Sequence, residues 1–265
     1  MQPVEVVGVG NAIVDVLVTT SDEFVGEQGL AKGSMTLIDA DRAAQLYGLL
    51  GAGAVKASGG SAANTVAGIA SFGGSSAYIG KVNDDDLGQF FARDMNAIGV
   101  MFDQPPGVGG PTTAMCVVLV TPDAQRTMNT YLGVSALLEP HDVRPDVIDG
   151  AALLFCEGYL WDVESAKQAI RKAMDIAAGG GTKVSLTLSD TFCIERHHQE
   201  FLDLVAGPVD VVFANRAEVT TLYDCELDEA VDKIGQACEL AFVTLGERGS
   251  LIVNKGEIIE IAPEP

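Results

Sequence analysis

An aspartate inside an apolar stretch is the first residue whose type and place could serve chemistry. Asp15 lies in AIVDVLVTT (12–20), where β-branched residues predict a strand. An ionised carboxylate there could accept hydrogen bonds from two neighbouring hydroxyls and hold a ligand in one orientation. Asn11, four residues earlier, could assist in the same binding. The alternative interpretation of Asp15 is a charge at the edge of a strand.

The segment before Asp15 resembles a dinucleotide-binding loop only in part. Gly8 and Gly10 follow a short apolar strand, but Ile13 occupies the place of the third glycine. That glycine lets a helix pack closely on the strand, and here the pattern predicts a further strand instead of a helix. We therefore do not expect this chain to bind NAD.

A glycine turn followed by a helix of small residues is a second candidate site. In ASGGSAANTVAGIASFGG (57–74), Gly59 and Gly60 permit a tight turn with exposed amides, and Ser61 is placed to cap the helix. Asn64 then lies on the first turn, where its amide can reach whatever the glycine turn contacts. The segment could equally be a tightly packed helix rich in glycine and alanine.

Regular alternation of strands and helices in the second half predicts the scaffold. Its apolar strands are predicted at 152–160, 183–188, 209–215 and 240–246. Uninterrupted apolar strands between helices form a parallel sheet covered on both faces, so we predict a doubly wound α/β fold. Ligands bind such folds at the carboxyl ends of the strands, where Asn215 and Glu218 of NRAE are placed. These two residues could also be only a helix cap and a solvated helix face.

The strand-like segments of the first half do not fit a helix-covered sheet easily. They are residues 12–20, 34–38 and 113–132, the last with a hairpin turn in TPDAQR (121–126). We predict that they form a small β-sheet lid beside the α/β core. Residues 1–265 are expected to form one domain that includes this lid.

Composition excludes several classes of function. Sixteen basic and thirty-seven acidic residues give a formal charge of −21, and the basic residues form no cluster of the kind that binds nucleic acid. No apolar run reaches the roughly 18 residues of a membrane span. We expect a cytoplasmic protein with neither nucleic acid nor membrane as a partner. An anionic ligand such as ATP would need Mg²⁺ and backbone N–H groups to supply positive potential.

These motifs together resemble the ribokinase-like sugar and nucleoside kinases, most closely the adenosine kinase branch. The resemblance runs along the entire chain. It is carried by GNAIVD (10–15), similar to the acceptor-binding strand; GGSAANTVAGIASFG (59–73), similar to the first family signature; DAQRTMNTYLG (123–133), similar to a lid segment; NRAE (215–218), similar to the NxxE motif; and VTLGERGS (243–250), similar to the nucleotide-binding strand and turn.

The resemblance implies an ATP-dependent phosphotransferase that moves the γ-phosphate to a hydroxymethyl group of a nucleoside or a sugar, with Mg²⁺. The acceptor-binding residues that it implies are Asn11, Asp15, Met35, Leu37, Gly59, Gly60, Ser61, Asn64 and Tyr159. The implied ATP contacts are Asn215, Thr244, Gly246 and Gly249, with Glu218 organising Mg²⁺ indirectly and Arg126 reaching the transferred phosphate.

The sequence departs from the family at its C-terminal end. The family's second signature is a glycine-rich anion hole that ends in the aspartate acting as catalytic base, and no such motif precedes Pro265. We therefore expect the chain to be C-terminally incomplete, with the base beyond Pro265 and no turnover by residues 1–265. A non-catalytic nucleoside or sugar sensor on the same fold is the alternative.

Two features favour a nucleoside over a free sugar as the acceptor. LAKGSMTLID (30–39) resembles the lid strand that lines a purine pocket, with Met35 and Leu37 as its apolar contacts. Tyr159 matches a position where an aromatic ring stacks on a base. These residues could also be ordinary core, so ribose or fructose stays open as the acceptor. The protein could be a monomer, or a homodimer paired through lid strands.

Overall fold

The computed structural model describes residues 4–51 and 53–263. A nine-stranded sheet forms its centre, with all neighbouring strands parallel except for two antiparallel pairings at one edge. In spatial order its strands are β14 (Glu257–Ile261), β13 (Ser250–Asn254), β12 (Leu240–Thr244), β11 (Val211–Asn215), β10 (Lys183–Thr187), β9 (Leu153–Glu157), β1 (Val6–Val9), β5 (Ser76–Ile79) and β6 (Val100–Met101).

A second sheet of five strands lies beside the first and forms the lid. In spatial order its strands are β3 (Met35–Leu37), β8 (Arg126–Tyr131), β7 (Ala114–Val120), β2 (Ile13–Thr19) and β4 (Val55–Gly59). The predicted α/β fold with a parallel sheet and a small β lid is therefore confirmed. Strand β4 is an addition, because its sequence was predicted only as the approach to a glycine turn.

Ten helices connect the strands within the described residues. They are α1 (Asp22–Glu27), α2 (Ala40–Leu49), α3 (Ser61–Ser71), α4 (Asp86–Ile98), α5 (Pro145–Ile148), α6 (Glu164–Gly180), α7 (Thr191–Arg196), α8 (His198–Ala206), α9 (Arg216–Tyr223) and α10 (Leu227–Ala237). None of those in the described ranges has both the length and the apolar character that crossing a bilayer requires.

Strand β2 shows how alternation places a carboxylate on the lid. Val14 and Val16 are fully buried on its back face, where they join a core that continues under helices α3 and α4. Asp15 points to the opposite face, because successive side chains in a strand alternate. The apolar stretch around Asp15 is therefore one buried face and one face that lines a cleft.

Helix α3 begins differently from the prediction. Gly60, not Ser61, is the N-cap, and no side chain of the cap residue bonds to the helix. Gly60 has φ 102° and ψ 145°, a region that is essentially restricted to glycine. A Cβ atom on Gly60 would also overlap the carbonyl oxygen of Asn11. Strand β4 thus turns directly into α3 through a residue that has to be glycine.

We expect Gly60→Ala to destabilise the protein by more than about 3 kcal/mol, because conformational strain and a backbone clash add together. Gly73→Ala is the matched control: Gly73 has φ 87°, but a Cβ atom there would meet nothing within 4 Å, so strain alone should cost about 1–2 kcal/mol. Urea unfolding of both variants measures the difference. Equal losses would contradict the described contact with Asn11.

Candidate acceptor and nucleotide sites

A cleft of about 330 Å³ opens between the lid and the carboxyl ends of β1, β9 and β10. Three larger surface hollows among the described residues, of about 960, 850 and 460 Å³, lie elsewhere, but all the predicted acceptor residues except Gly59 gather in this smaller cleft. Its lining residues are Asn11, Ile13, Asp15, Met35, Leu37, Gly60, Ser61, Asn64, Cys116, Met128, Thr130, Leu132, Glu157, Tyr159, Asp162, Asp190 and Phe192.

One row of paired residues crosses the lid and forms a wall of the cleft. Asp15 of β2 pairs with Cys116 of β7, Cys116 pairs with Thr130 of β8, and Thr130 pairs with Leu37 of β3. Paired residues on neighbouring strands project from the same face. The wall therefore changes from a carboxylate at one end to an apolar side chain at the other.

Asp15 is held in a partly desolvated place. Burial raises the pKa of its carboxyl from 3.8 to about 6. The carboxylate lies against the Cα atom of Gly59, where any side chain would overlap it. Gly59 is not among the lining residues, and its lack of a side chain leaves room for the Asp15 carboxylate. A direct contact of Gly59 with a ligand stays a prediction.

The polar end of the cleft is organised by Glu157, a residue that the sequence interpretation missed. Its carboxylate is fully buried and accepts hydrogen bonds from the Asn11 backbone N–H at 2.6 Å, the Asn11 side-chain amide at 2.7 Å and the Ala62 N–H at 3.0 Å. By accepting the bond from Ala62, Glu157 replaces the side-chain acceptor that an N-cap residue normally provides and that Gly60 lacks. Burial raises the pKa of Glu157, and these hydrogen bonds oppose that change.

Hydrogen bonds therefore fix the position of the Asn11 side chain. Its side-chain oxygen accepts a hydrogen bond from the Ser135 hydroxyl at 3.0 Å, while its nitrogen donates to Glu157. Ser61 and Asn64 lie beside it at the start of α3 and line the cleft, and their contact with an acceptor stays a prediction. The polar end thus presents Asp15, Asn64 and Ser61 on elements that Glu157 holds in place.

The other end of the cleft is apolar and aromatic. Met35, Leu37 and Met128 lie on the lid side. The ring of Tyr159, which follows β9, lies with its centroid 6.0 Å from that of Phe192 at the start of α7, and its hydroxyl donates to the Ser189 carbonyl at 3.0 Å. This arrangement suits a flat, apolar group inserted between the lid and the aromatic pair.

The predicted nucleotide-contact residues lie outside the cleft lining, at the carboxyl ends of β11 and β12. Asn215 and Glu218 form a reciprocal capping box at the start of α9, with bonds of 2.7–3.0 Å. Asn215 is paired with Thr244 on the neighbouring strand. Gly246 and Gly249 follow in a turn that the Leu245 N–H closes on the Gly249 carbonyl at 2.8 Å. These residues are neighbours, and their contact with ATP stays a prediction.

Glu218 and Arg126, the two residues expected near Mg²⁺ and the transferred phosphate, differ in their burial. Glu218 is buried, and burial raises the pKa of its carboxyl, while the hydrogen bond from the Asn215 N–H opposes that change. Arg126 is the exposed first residue of β8, on the same strand face as Met128 and Thr130 but outside the cleft lining. The structure does not bring Arg126 into the cleft.

The sequence interpretation did not name several residues that line the cleft, and only some of them could have been found from the sequence. Glu157 is an acid at the carboxyl end of the buried strand LLFCE, and Asn215 ends strand β11 in the same way. Met128 and Thr130 follow from alternation in the predicted lid strand. Asp162, Asp190 and Phe192 lie in connections after β9 and β10, and local sequence carries no signal that they share one cleft.

Comparison with known proteins shows which family the chain belongs to. The profile described as pfkB family carbohydrate kinase matches residues 30–265. The chain belongs to the pfkB family. Among solved structures, adenosine kinase from Sinorhizobium meliloti is 47% identical with a TM-score of 0.90, covering 99% of this chain and 80% of that one. A probable sugar kinase from Rhizobium etli CFN 42 is 44% identical with a TM-score of 0.91, covering 100% and 81%.

Curated relatives of the chain include fructokinases. Probable fructokinase-4 of Arabidopsis thaliana is 29% identical over 77% of this chain and 65% of its own length. Fructokinase of Solanum tuberosum is 33% identical over 50% of this chain and 42% of its own length. The matches thus span less than two thirds of these curated relatives. Adenosine kinase of Schistosoma mansoni, at 19% identity, supports the fold alone.

We expect Asp15→Asn to stabilise the protein above about pH 6. The raised pKa means that the folded state favours protonated Asp15, so stability from this group is present below pH 3.8 and is lost as pH rises to about 6. An amide carries no charge to desolvate. Urea unfolding at pH 4, 5, 6 and 8 should give a difference between variant and parent that grows and then levels off. A constant difference across this range would contradict the burial of the charge.

We expect Glu157→Gln to lower the free energy of unfolding by about 2–4 kcal/mol, because an amide NH₂ group must then face an N–H donor of Asn11 or Ala62. Glu195→Gln, which changes an exposed acid by the same atoms, should stay within about 0.5 kcal/mol of the parent. Chemical denaturation measures both. A small effect at Glu157 would show that the three hydrogen bonds do not hold the site together.

Proposed function

We propose that this pfkB family member is an ATP-dependent kinase that phosphorylates the hydroxymethyl group of an adenosine-like nucleoside. The single observation that carries the proposal is the two-ended cleft, with Asp15 and Asn64 at one end and Met35, Leu37 and Phe192 at the other. A nucleoside has the same division into a hydroxylated ring and a flat base. The 47% identity to an adenosine kinase supports this choice.

The polar end suits the binding of a sugar ring. Asp15, when ionised, accepts hydrogen bonds from two neighbouring hydroxyls, and charge-assisted bonds of this kind fix the ring's orientation. Phosphoryl transfer depends mainly on the in-line placement of acceptor and donor, so this orientation contributes directly to the rate. The elements braced by Glu157 hold Asn64 and Ser61 rigid for the same purpose.

The nucleotide is proposed to bind at the carboxyl ends of β11 and β12, next to the cleft. The start of α9 and the turn at Gly246 and Gly249 present backbone N–H groups that favour phosphate oxygens. Glu218 is a desolvated carboxylate without a cation partner among the described residues, and such a group fits a role in holding Mg²⁺. Bound Mg²⁺ neutralises charge on the phosphates.

The lid is proposed to exclude water, which would otherwise compete with the acceptor as a nucleophile. The ends of the lid strands, where Arg126 lies, would bring that side chain toward the transferred phosphate when the lid closes. We further propose that the protein works in the cytoplasm, where ATP is supplied, as a monomer or a homodimer. All five cysteines are free thiols, which agrees with a reducing compartment.

A sugar kinase is the second candidate, because the curated relatives are fructokinases. The two candidates differ in what the aromatic end does: it stacks on a base in the first and has no partner in the second. A sensor that binds nucleoside or sugar without phosphorylating it is a third outcome, which separate measurements of binding and turnover distinguish.

Mg-ATP assays and calorimetry with adenosine, inosine, ribose and fructose test the proposal. We expect adenosine to bind most tightly. Phe192→Leu should weaken adenosine about 5- to 100-fold, because stacking contributes roughly 1–3 kcal/mol, and should leave ribose unchanged. Asp15→Ala should weaken both. Preferred binding of fructose would favour the sugar kinase, and binding without turnover would favour the sensor.

A further inference from the structure

The charged side chains that line the cleft are all acidic. They are Asp15, Glu157, Asp162 and Asp190, and no lysine, arginine or histidine is among the seventeen described lining residues. An acceptor in this cleft therefore meets a negative potential before any nucleotide arrives. The four carboxylates are not equivalent, because protein partners offset some of them.

Two of the four carboxylates are compensated within the protein. Asp162 forms an ion pair with Arg196, and its Oδ1 atom lies 2.9 Å from Nε2 of His197. Glu157 is buried behind three N–H donors. Asp15 is assigned to the acceptor's hydroxyls under the proposed function. Asp190 is the remaining acid.

Asp190 carries a charge with little compensation. One of its oxygens, Oδ1, caps α7 by accepting long hydrogen bonds of 3.3 Å from the Phe192 N–H and the Thr191 hydroxyl. Its other oxygen, Oδ2, has no hydrogen-bond partner in the described part of the chain, and no cationic group lies within 4.0 Å of the carboxylate there. This oxygen is free to act on a ligand.

The position of Asp190 determines which part of a ligand it acts on. It follows β10, which lies in the sheet between β9, where the cleft ends with Tyr159, and β11, where Asn215 and Glu218 begin α9. Burial is the main reason that the pKa values of Tyr159 and Glu218 are raised, and the charge of Asp190 adds to the rise in both. Asp190 therefore lines the cleft on the side where the proposed nucleotide site adjoins it.

We propose that Asp190 selects the acceptor by charge: it admits neutral or cationic acceptors, repels acceptors that already carry a phosphate, and promotes release of the phosphorylated product. This proposal rests on the proposed function and deepens it. It places the enzyme at the first phosphorylation of its acceptor, so the reaction that supplies the acceptor has to deliver a molecule without a phosphate group.

The test is displacement of tritiated adenosine from the full protein, with Mg²⁺ and a non-hydrolysable ATP analogue filling the nucleotide site. The competitors are adenosine, adenosine 5′-monophosphate and 5′-amino-5′-deoxyadenosine, which differ in charge at one position. Asp190→Asn removes the charge and keeps a side chain that caps helices equally well. Asp175→Asn on the exposed face of α6 is the control for net charge.

We expect the affinity for the monophosphate, relative to adenosine, to rise about tenfold in Asp190→Asn, since one nearby unit charge in a partly screened site has an effect of that order. The relative affinity for the amine should fall. Asp175→Asn should change neither ratio. A thermal melt confirms that each variant is folded.

Unchanged ratios in folded Asp190→Asn would overturn the proposal, and so would equal changes in both variants, because net charge would then explain them. Failure of the proposed function has a different signature: tritiated adenosine would bind to none of the three proteins, and the charge proposal would fall with it.

Discussion

The cleft depends on the buried carboxylate of Glu157. Its two oxygens join the end of β1, the start of α3 and the end of β9, through donors on Asn11 and Ala62. Burying an ionised carboxylate costs several kcal/mol, and leaving those N–H groups without an acceptor would also be costly. The carboxylate therefore requires the N–H donors, and the donors require the carboxylate. Gly10 permits the close approach, because a Cβ there would overlap the Glu157 carboxylate.

Strand β2 of the lid contributes one face to the core and the other face to the cleft. The back of β2 contributes Val14 and Val16 to the core, and its front carries Asp15. Desolvation of Asp15 lowers stability at neutral pH, as its raised pKa indicates. The buried valines of the same strand offset that cost.

Relatives of this chain include both adenosine kinases and fructokinases, so family membership leaves the acceptor open. Under the proposed function, the aromatic pair Tyr159 and Phe192 and the sulfur-containing side chains on the lid distinguish a nucleoside from a free sugar. A free sugar offers nothing for them to stack on. The acidic lining adds a second criterion, charge, that acts on either acceptor in the same way.

The sequence by itself determined the features that arise within a few residues. β-Branched and apolar residues predicted strands at 12–20 and 113–132, and apolar strands between helices predicted the parallel sheet. A helix cap at Asn215 was one of two interpretations of NRAE, but the part of Glu218 in that cap was not predicted. Local pattern misplaced the cap of α3, because the acceptor that satisfies Ala62 comes from a distant strand.

Only the tertiary structure decided which residues share the cleft. Asn11 and Glu157 are 146 positions apart and become hydrogen-bonded because β1 and β9 are neighbours in the sheet. Asp190 and Phe192 join them because β10 is next in order. Strand order depends on how all the helices and strands pack together, and the spacing of residues along one strand or helix carries no information about it.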